Sequence, residues 1–268
     1  MKRIERIMDV TYIGGPTALL TFAGVRFLTD PTFDPPGDDY RTGPVTLHKT
    51  AAPALTPDAA AFDYVLLSHD HHFDNLDRAG RAALTRAAVV VTTVAAADRL
   101  GGNARGLNPW QTLDLPAANG KTLRITATPA RHGPADGDRG PVAGFVLHLT
   151  SAPDRAVYFS GDTVWYEGVE EIARRLPVRA AVLNLGAARV PEVGPQHLTM
   201  TAAEAVQAAR AFPDAAIVPL HFEGWQHFSE GRDVIAREFA AAGLEHRLHW
   251  PDPGRPIRID LDGDGDVA

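Results

Sequence analysis

The chain has 268 residues, 45% of them apolar, enough to bury a full core in one domain or in two small ones. Its formal charge of -7 argues against nucleic acid as a partner, because binding phosphate needs a basic surface. Cysteine is absent, which excludes disulfides, a thiolate nucleophile and a Cys-rich zinc site, so any metal must be held by His, Asp or Glu.

Taken in order, residues 10–14, 18–22 and 25–29 read as three short strands separated by Gly14-Gly15-Pro16 and Ala23-Gly24, an antiparallel meander. Residues 31–62 are rich in Pro and Gly and lack periodicity, and a segment of that kind is expected to act as a lid-like loop over a site. Residues 76–86 carry a helical pattern, 88–92 a strand, and 95–100 a short helix closed by Gly101-Gly102. Residues 110–115 and 121–127 alternate around Asn119-Gly120, a strong hairpin signal. Strands follow at 142–149 and 156–160, a helix at 169–176 and a strand at 180–185. Thr201-Ala202-Ala203-Glu204 is a capping box that opens a helix to about Phe212. A strand at 216–220, a helix at 232–242 and a short strand near 246–249 complete the pattern. It suggests one two-sheet core covered by helices on both outer faces. The start Met1-Lys2-Arg3-Ile4-Glu5-Arg6 leads into no apolar leader and no stretch reaches membrane-spanning length, so a cytoplasmic protein without a membrane partner is expected.

The most informative stretch is Val65-Leu66-Leu67-Ser68-His69-Asp70-His71-His72-Phe73-Asp74-Asn75-Leu76-Asp77, where an apolar run ends abruptly in histidines and acids. A buried strand delivering imidazoles to the carboxyl edge of a sheet places them where open α/β layers keep their ligands. A lone His-x-His is usually a solvated turn. Here the same grammar of strand, abrupt stop and metal-competent side chain recurs at His132, Asp162 and His221. Neutral imidazole with carboxylate suits zinc, manganese or iron.

Together these motifs resemble the metallo-β-lactamase fold superfamily, whose first motif is His-x-His-x-Asp-His followed by a later His, a bridging Asp and a final His. Within it the resemblance is to the branch of ascorbate-6-phosphate lactonase-like and N-acyl-phosphatidylethanolamine phospholipase D-like hydrolases. Ile13-Gly14-Gly15-Pro16-Thr17 and Thr29-Asp30-Pro31-Thr32-Phe33 match that branch's early segments, and Ser160-Gly161-Asp162-Thr163 and Pro219-Leu220-His221-Phe222 its later ones. The resemblance implies an α/β fold, a four-layer αββα sandwich of two mixed β-sheets flanked by helices, as a single domain over residues 1–268. It implies that His69, His71 and His132 hold a first metal, Asp74 and His221 a second, and that Asp162 bridges them. One extra residue intervenes after His71, however, and Asn75 stands where the family has its last histidine. Either His72 substitutes or the second site is weak, so one or two Zn2+ ions, or Mn2+ or Fe, remain open.

Such a metal with an open position lowers the pKa of bound water toward ~7, giving hydroxide at neutral pH. The expected function is hydrolysis of a small ester, lactone or phosphodiester, with Asp74 and His72 as catalytic candidates. Asp30, His197, Trp165 and Trp225 are candidates for lining the substrate cavity. Arg131, Arg139 and Arg189 sit on candidate site loops and could meet an anion. His48, His148, His246 and His249 lack the strand-end setting and are read as structural. The partner is a small-molecule substrate, and homo-oligomerisation stays open. Two rival readings remain: a phosphodiesterase or nuclease-like member, and a catalytically weak metal-binding or sensing protein. The tail Asp262-Gly263-Asp264-Gly265-Asp266 lacks the Glu a calcium loop needs and reads as a solvated acidic end.

Overall fold

The computed structural model describes residues 6–136 and 139–262. The expected meander is present as β1 (Ile7–Gly14), β2 (Thr17–Phe22) and β3 (Val25–Thr29), joined by tight turns. A hairpin of β4 (Asp39–Thr42) and β5 (Val45–His48) precedes β6 (Tyr64–Leu66), α1 (Arg78–Ala83), β7 (Val89–Thr93), α2 (Val94–Leu100) and β8 (Ala104–Leu107). These build a seven-stranded sheet in the order β15 (Pro256–Asp260), β1, β2, β3, β6, β7, β8. The second sheet contains β9 (Thr112–Pro116), β10 (Thr122–Thr128), β11 (Gly144–Leu149), β12 (Ala152–Phe159), β13 (Val178–Asn184) and β14 (Ala216–Leu220), lying in reverse numerical order. Both sheets are mixed. β3, β6, β7 and β8 run parallel, as do β12, β13 and β14, and the remaining pairs are antiparallel.

Alternation along the strands explains the layers. In β12, Val157 and Phe159 face the other sheet and join Phe27, Leu20 and Leu123 in the central core, while Ala156 and Tyr158 face outward. The outward set is covered by α3 (Glu167–Arg175), α4 (Ala202–Ala211) and α5 (Arg232–Ala241), through Val169, Ile172, Ala205 and Phe239. On the first sheet, Leu28, Val65 and Val90 pack outward against Ala83 and Leu84 of the α1 region. The molecule is therefore layered helix, sheet, sheet, helix. The capping box is formed, Thr201 accepting from Glu204 N and Glu204 accepting from Thr201 N. Among the described residues no helix is long and apolar enough to cross a membrane.

Two elements depart from expectation. Residues 246–249 are not a strand: Glu245–Arg247 form a 3-10 turn, and Leu248 makes only an isolated bridge to Ile217. Pro251 and Pro253 follow at once and cannot donate to a ladder, so the last strand forms later, as β15 against β1. The segment 31–62 is likewise not loop throughout. Gly43-Pro44 turns a β4–β5 hairpin whose Tyr40 and Leu47 are buried. The acidic tail from Gly263 onward lies outside the described residues.

That segment is bolted to the start of α1. Asp77 caps the helix, its Oδ1 accepting from Gly80 N at 2.8 Å, while its Oδ2 accepts from Asp34 N at 2.7 Å and Lys49 Nζ at 2.9 Å. Asp34 in turn accepts from Ala79 N (3.0 Å) and Tyr40 Oη (3.0 Å). Lys49 and Asp77 are both buried, so removing one strands the other's charge. Lys49→Met is expected to lower unfolding stability by about 3–5 kcal/mol, measured by chemical denaturation. Loss within the few tenths typical of a surface pair would show that water reaches Asp77.

Candidate metal centre

β3, β6, β10, β12 and β14 all end at one edge, and each is followed within a few residues by a polar side chain that turns inward. β3 supplies Asp30 and β6 supplies the 68–77 loop from one sheet. β10, β12 and β14 supply His132, Asp162 and His221 from the other. The two edges meet closely at Gly161, where φ is +57° and a Cβ would lie 2.6 Å from Ser68 Cβ and 2.7 Å from the Ala143 carbonyl oxygen. Only glycine fits there.

The histidines are aimed by their outer nitrogens. Ser68 Oγ donates to Asp30 Oδ2 (2.7 Å), so toward His69 Nδ1, 2.9 Å away, it can only accept. That fixes the proton on Nδ1 and leaves His69 Nε2 bare. His132 Nδ1 donates to the Leu198 carbonyl (2.8 Å), which bares its Nε2 in the same way. His72 Nδ1 then lies 3.0 Å from His69 Nε2 and 3.1 Å from His132 Nε2. Burial, and then the mutual repulsion of the imidazoles, holds His69 and His72 well below the ordinary histidine pKa. The bare Nε2 atoms of His69 and His132, with His72 Nδ1 between them, are a donor set for a cation once that Nδ1 is free of its proton.

Here the extra loop residue shows its effect. His71, the sequence-expected partner of His69, gives its Nε2 to the Arg139 carbonyl oxygen at 2.9 Å and keeps its Nδ1 buried without a hydrogen-bond partner, while His72 also reaches in, to a position between His69 and His132. His71 stays near, with one nitrogen within 4.8 Å of ligand atoms of His69 and His72. Asp70 turns away, paired with Arg99 and with Arg81 (3.8 Å).

A second cluster adjoins the first. Asp162 Oδ2 is 3.8 Å from His132 Nε2, and Asp162 Oδ1 accepts from His221 Nδ1 (2.9 Å) and from Asn184 Nδ2 (2.8 Å). His221 Nε2 is 3.6 Å from Asp74 Oδ2. Burial opposes charge on Asp162, but the imidazolium of His221 outweighs it and holds the carboxyl well below its usual range; the same pairing raises His221. Asp74 is also lowered against burial, by His227, whose Nε2 lies 3.0 Å from Asp74 Oδ2. Burial and the nearby Asp162 push Asp30 up to about 7. Asp162 Oδ2 and His221 Nε2 are buried without a hydrogen-bond partner. Buried polar atoms left open beside several carboxylates are what a divalent cation would satisfy, and the residues fit one.

Above lies a cleft lined by Val45, Leu47, Phe73, Ala188, Val190 and Leu198, with His72, Asp74, His132 and His227 at its floor. Thr42, Val193 and Arg139 complete the lining. Four expected substrate-side residues lie elsewhere. Asp30 is fully buried beneath the motif loop, holding Ser68 and Asn75. His197 pairs with Glu204 at 3.0 Å beside the capping box. Trp165 packs in the outer helical layer. Trp225 is buried edge-on against Tyr40, with Lys49 over its ring. Arg131 stacks on Tyr166 and Arg189 reaches the Pro195 carbonyl. Sequence reading missed His227, because its loop carries no strand and no periodic pattern. The one signal was the histidine lacking at Asn75.

Comparison with known proteins agrees with this architecture. Residues 25–222 match the family model described as the beta-lactamase superfamily domain. A UPF0173 metal-dependent hydrolase of Caldivirga maquilingensis is 28% identical over 255 residues, covering 93% of this chain and 97% of that protein. Among solved structures, an isothiocyanate hydrolase from Delia radicum gut bacteria superposes with TM-score 0.77 at 24% identity, covering 95% of this chain and 100% of that one. A possible metal-dependent hydrolase from Veillonella parvula superposes with TM-score 0.80 at 20% identity, covering 94% and 99%.

The neutral histidines make metal-free stability acid-sensitive. For a histidine whose folded-state pKa lies below the unfolded value near 6.5, the unfolded chain binds the extra proton, so stability falls as pH drops below about 6.5. His221, with its raised pKa, works oppositely and loses its contribution as pH rises through that value. Chelator-treated protein should lose up to about 1.4 kcal/mol per pH unit for each such histidine between pH 6.5 and 5. His69→Ala should flatten that slope in denaturation curves; an unchanged slope would mean His69 is already protonated when folded.

Proposed function

This chain belongs to the beta-lactamase superfamily, and on that premise we propose that it is a metal-dependent hydrolase of a small ester or lactone, with His69, His72, His132 and Asp162 around one metal position and Asp74, Asp162 and His221 at the other. The observation that carries the reading is the convergence of bare imidazole nitrogens and ionised carboxylates from both sheets beneath an aliphatic cleft. A divalent cation bound there supplies Lewis acidity and lowers the pKa of a water it holds toward ~7. Zinc, manganese and iron all suit this donor set.

The chain's own residues do the rest. Ser68 and the Leu198 carbonyl keep the proton on the outer nitrogens of His69 and His132, so both rings present lone pairs. Asp74 and Asp162 stay ionised at neutral pH and bring negative charge to the cleft floor. Phe73, Val45, Leu47, Val190 and Leu198 exclude bulk water and grip an apolar acyl or ring portion. Arg139 is the one cationic side chain, histidines aside, among the described residues lining the cleft, a position for an anionic or carbonyl substituent. A phosphodiester is less well served by so apolar a wall. An isothiocyanate is a compact neutral electrophile that such walls also suit, which earns it a place among the test substrates.

Turnover is expected for aryl esters or lactones, with isothiocyanates assayed beside them, well above that for a bis-aryl phosphodiester. His69→Ala, His132→Ala or His221→Ala should lower metal content by mass spectrometry together with activity. His148→Ala, whose Nδ1 faces the Leu149 carbonyl on the second sheet, should leave both nearly unchanged. Full metal content with no turnover on the whole panel would replace the hydrolase by a metal-dependent binding protein.

A further inference from the structure

The motif loop lacks an imidazole where a second metal position needs one. Asn75 is fully buried, its Nδ2 donating to Asp30 Oδ2 at 3.1 Å and its Oδ1 left without a hydrogen-bond partner, and it offers no imidazole. On the opposite side, the loop after β14 carries His227. Its Nε2 lies 3.0 Å from Asp74 Oδ2, the same oxygen that His221 Nε2 approaches to 3.6 Å. Two imidazole nitrogens from one loop thus flank a single carboxylate oxygen. Ligands about 2.0–2.2 Å from a zinc in tetrahedral array lie roughly 3.3–3.6 Å apart, so the 3.6 Å spacing of His221 and Asp74 fits as it stands and the 3.0 Å spacing of His227 and Asp74 has to open by a few tenths of an ångström.

His227 Nε2 is hydrogen-bonded to Asp74, itself assigned to this metal position. His221 Nε2 has no hydrogen-bond partner, and His227 Nδ1 is buried without one. His227 is also held in place from several directions. The Arg189 amide donates to its carbonyl at 2.9 Å, and the Gln226 amide before it donates to the His48 carbonyl at 3.0 Å. Trp225 is wedged against Tyr40, and Phe228 stacks edge-on to His221. The backbone hydrogen bond to His48 ties this loop to the hairpin that roofs the cleft.

We propose that His227 is the second imidazole ligand of the Asp74–Asp162–His221 metal position, supplied from the far side of the cleft in place of the one Asn75 cannot give. The chain then holds two metal ions. The inference rests on the reading of Asp74, Asp162 and His221 as ligands. His227 is assigned as a ligand and not as a support for Asp74 alone because its Nε2 and that of His221 both approach Asp74 Oδ2 and its ring lines the cleft floor.

The test is metal binding, read without turnover. Zn2+ is titrated into chelator-treated protein against a chromophoric competitor, and Co2+ is titrated separately for its ligand-field absorption. Wild type should take up two equivalents. His227→Ala should keep one and lose affinity for the second by more than the roughly 10–100-fold that removing an outer partner costs, and the Co2+ band of the second equivalent should shift. His227→Asn serves the same purpose if the alanine variant fails to fold, judged by circular dichroism. Two equivalents of unchanged affinity in His227→Ala or His227→Asn, with the second lost in His221→Ala, would overturn the role of His227 while leaving the site intact. A single equivalent in wild type, unaffected by His221→Ala, would overturn the second metal position itself.

Discussion

The site depends on one buried carboxylate. Asp30 closes β3 and accepts from Ser68 N at 2.6 Å, from Ser68 Oγ at 2.7 Å and from Asn75 Nδ2 at 3.1 Å. Three donors on one fully buried acid pin both ends of the 68–75 loop to the neighbouring strand. They also set the Ser68 hydroxyl so that His69 must donate from its outer nitrogen. The direction in which the first histidine points is therefore decided one strand away. Asn75 is part of that arrangement, and its amide gives Asp30 a donor while its own position offers no imidazole to the cleft.

The two sheets contribute differently. The first provides a loop whose side chains are sorted by local hydrogen bonds: Asp70 outward to arginines, His71 to a carbonyl, His69 and His72 inward. The second provides isolated residues at the ends of separate strands, each fixed by backbone pairing that continues into the core. The roof is a third component. The β4–β5 hairpin packs Tyr40 and Leu47 with Ala188, Val190, Leu198 and Trp225, and the buried Lys49–Asp77 pair anchors it to the helix that follows the motif loop. Cleft shape and ligand geometry are thus linked through Asp77, the cap of that helix.

What the sequence made legible was whatever periodicity and abrupt polarity changes encode. β1 to β3, β10 to β14 and the capping box of α4 lie within a few residues of their expected places, and His132, Asp162 and His221 do stand at strand ends meeting His69. Three matters were not legible. Whether His71 or His72 faces His69 turns on one extra residue in an irregular loop, where no alternation rule applies. The orientation of loop aromatics such as Trp165 and Trp225 depends on packing partners far away in sequence. The hairpin within 31–62 was hidden by its prolines, although Gly43-Pro44 between short strands supplies the turn. His227 combines all three difficulties, being non-periodic, aromatic in its neighbourhood and dependent on a distant acid.

Because the inward-facing residues run from His69 to His227, the site is complete only when both sheets have formed and docked. During synthesis the chain exposes His69, His71 and His72 on the ribosome well over a hundred residues before His221 and His227 emerge. Any ion captured early meets an open, partial donor set of histidines. On the proposed ligand set, secure capture is a late event in the life of the nascent chain, set by the emergence of the loop after β14.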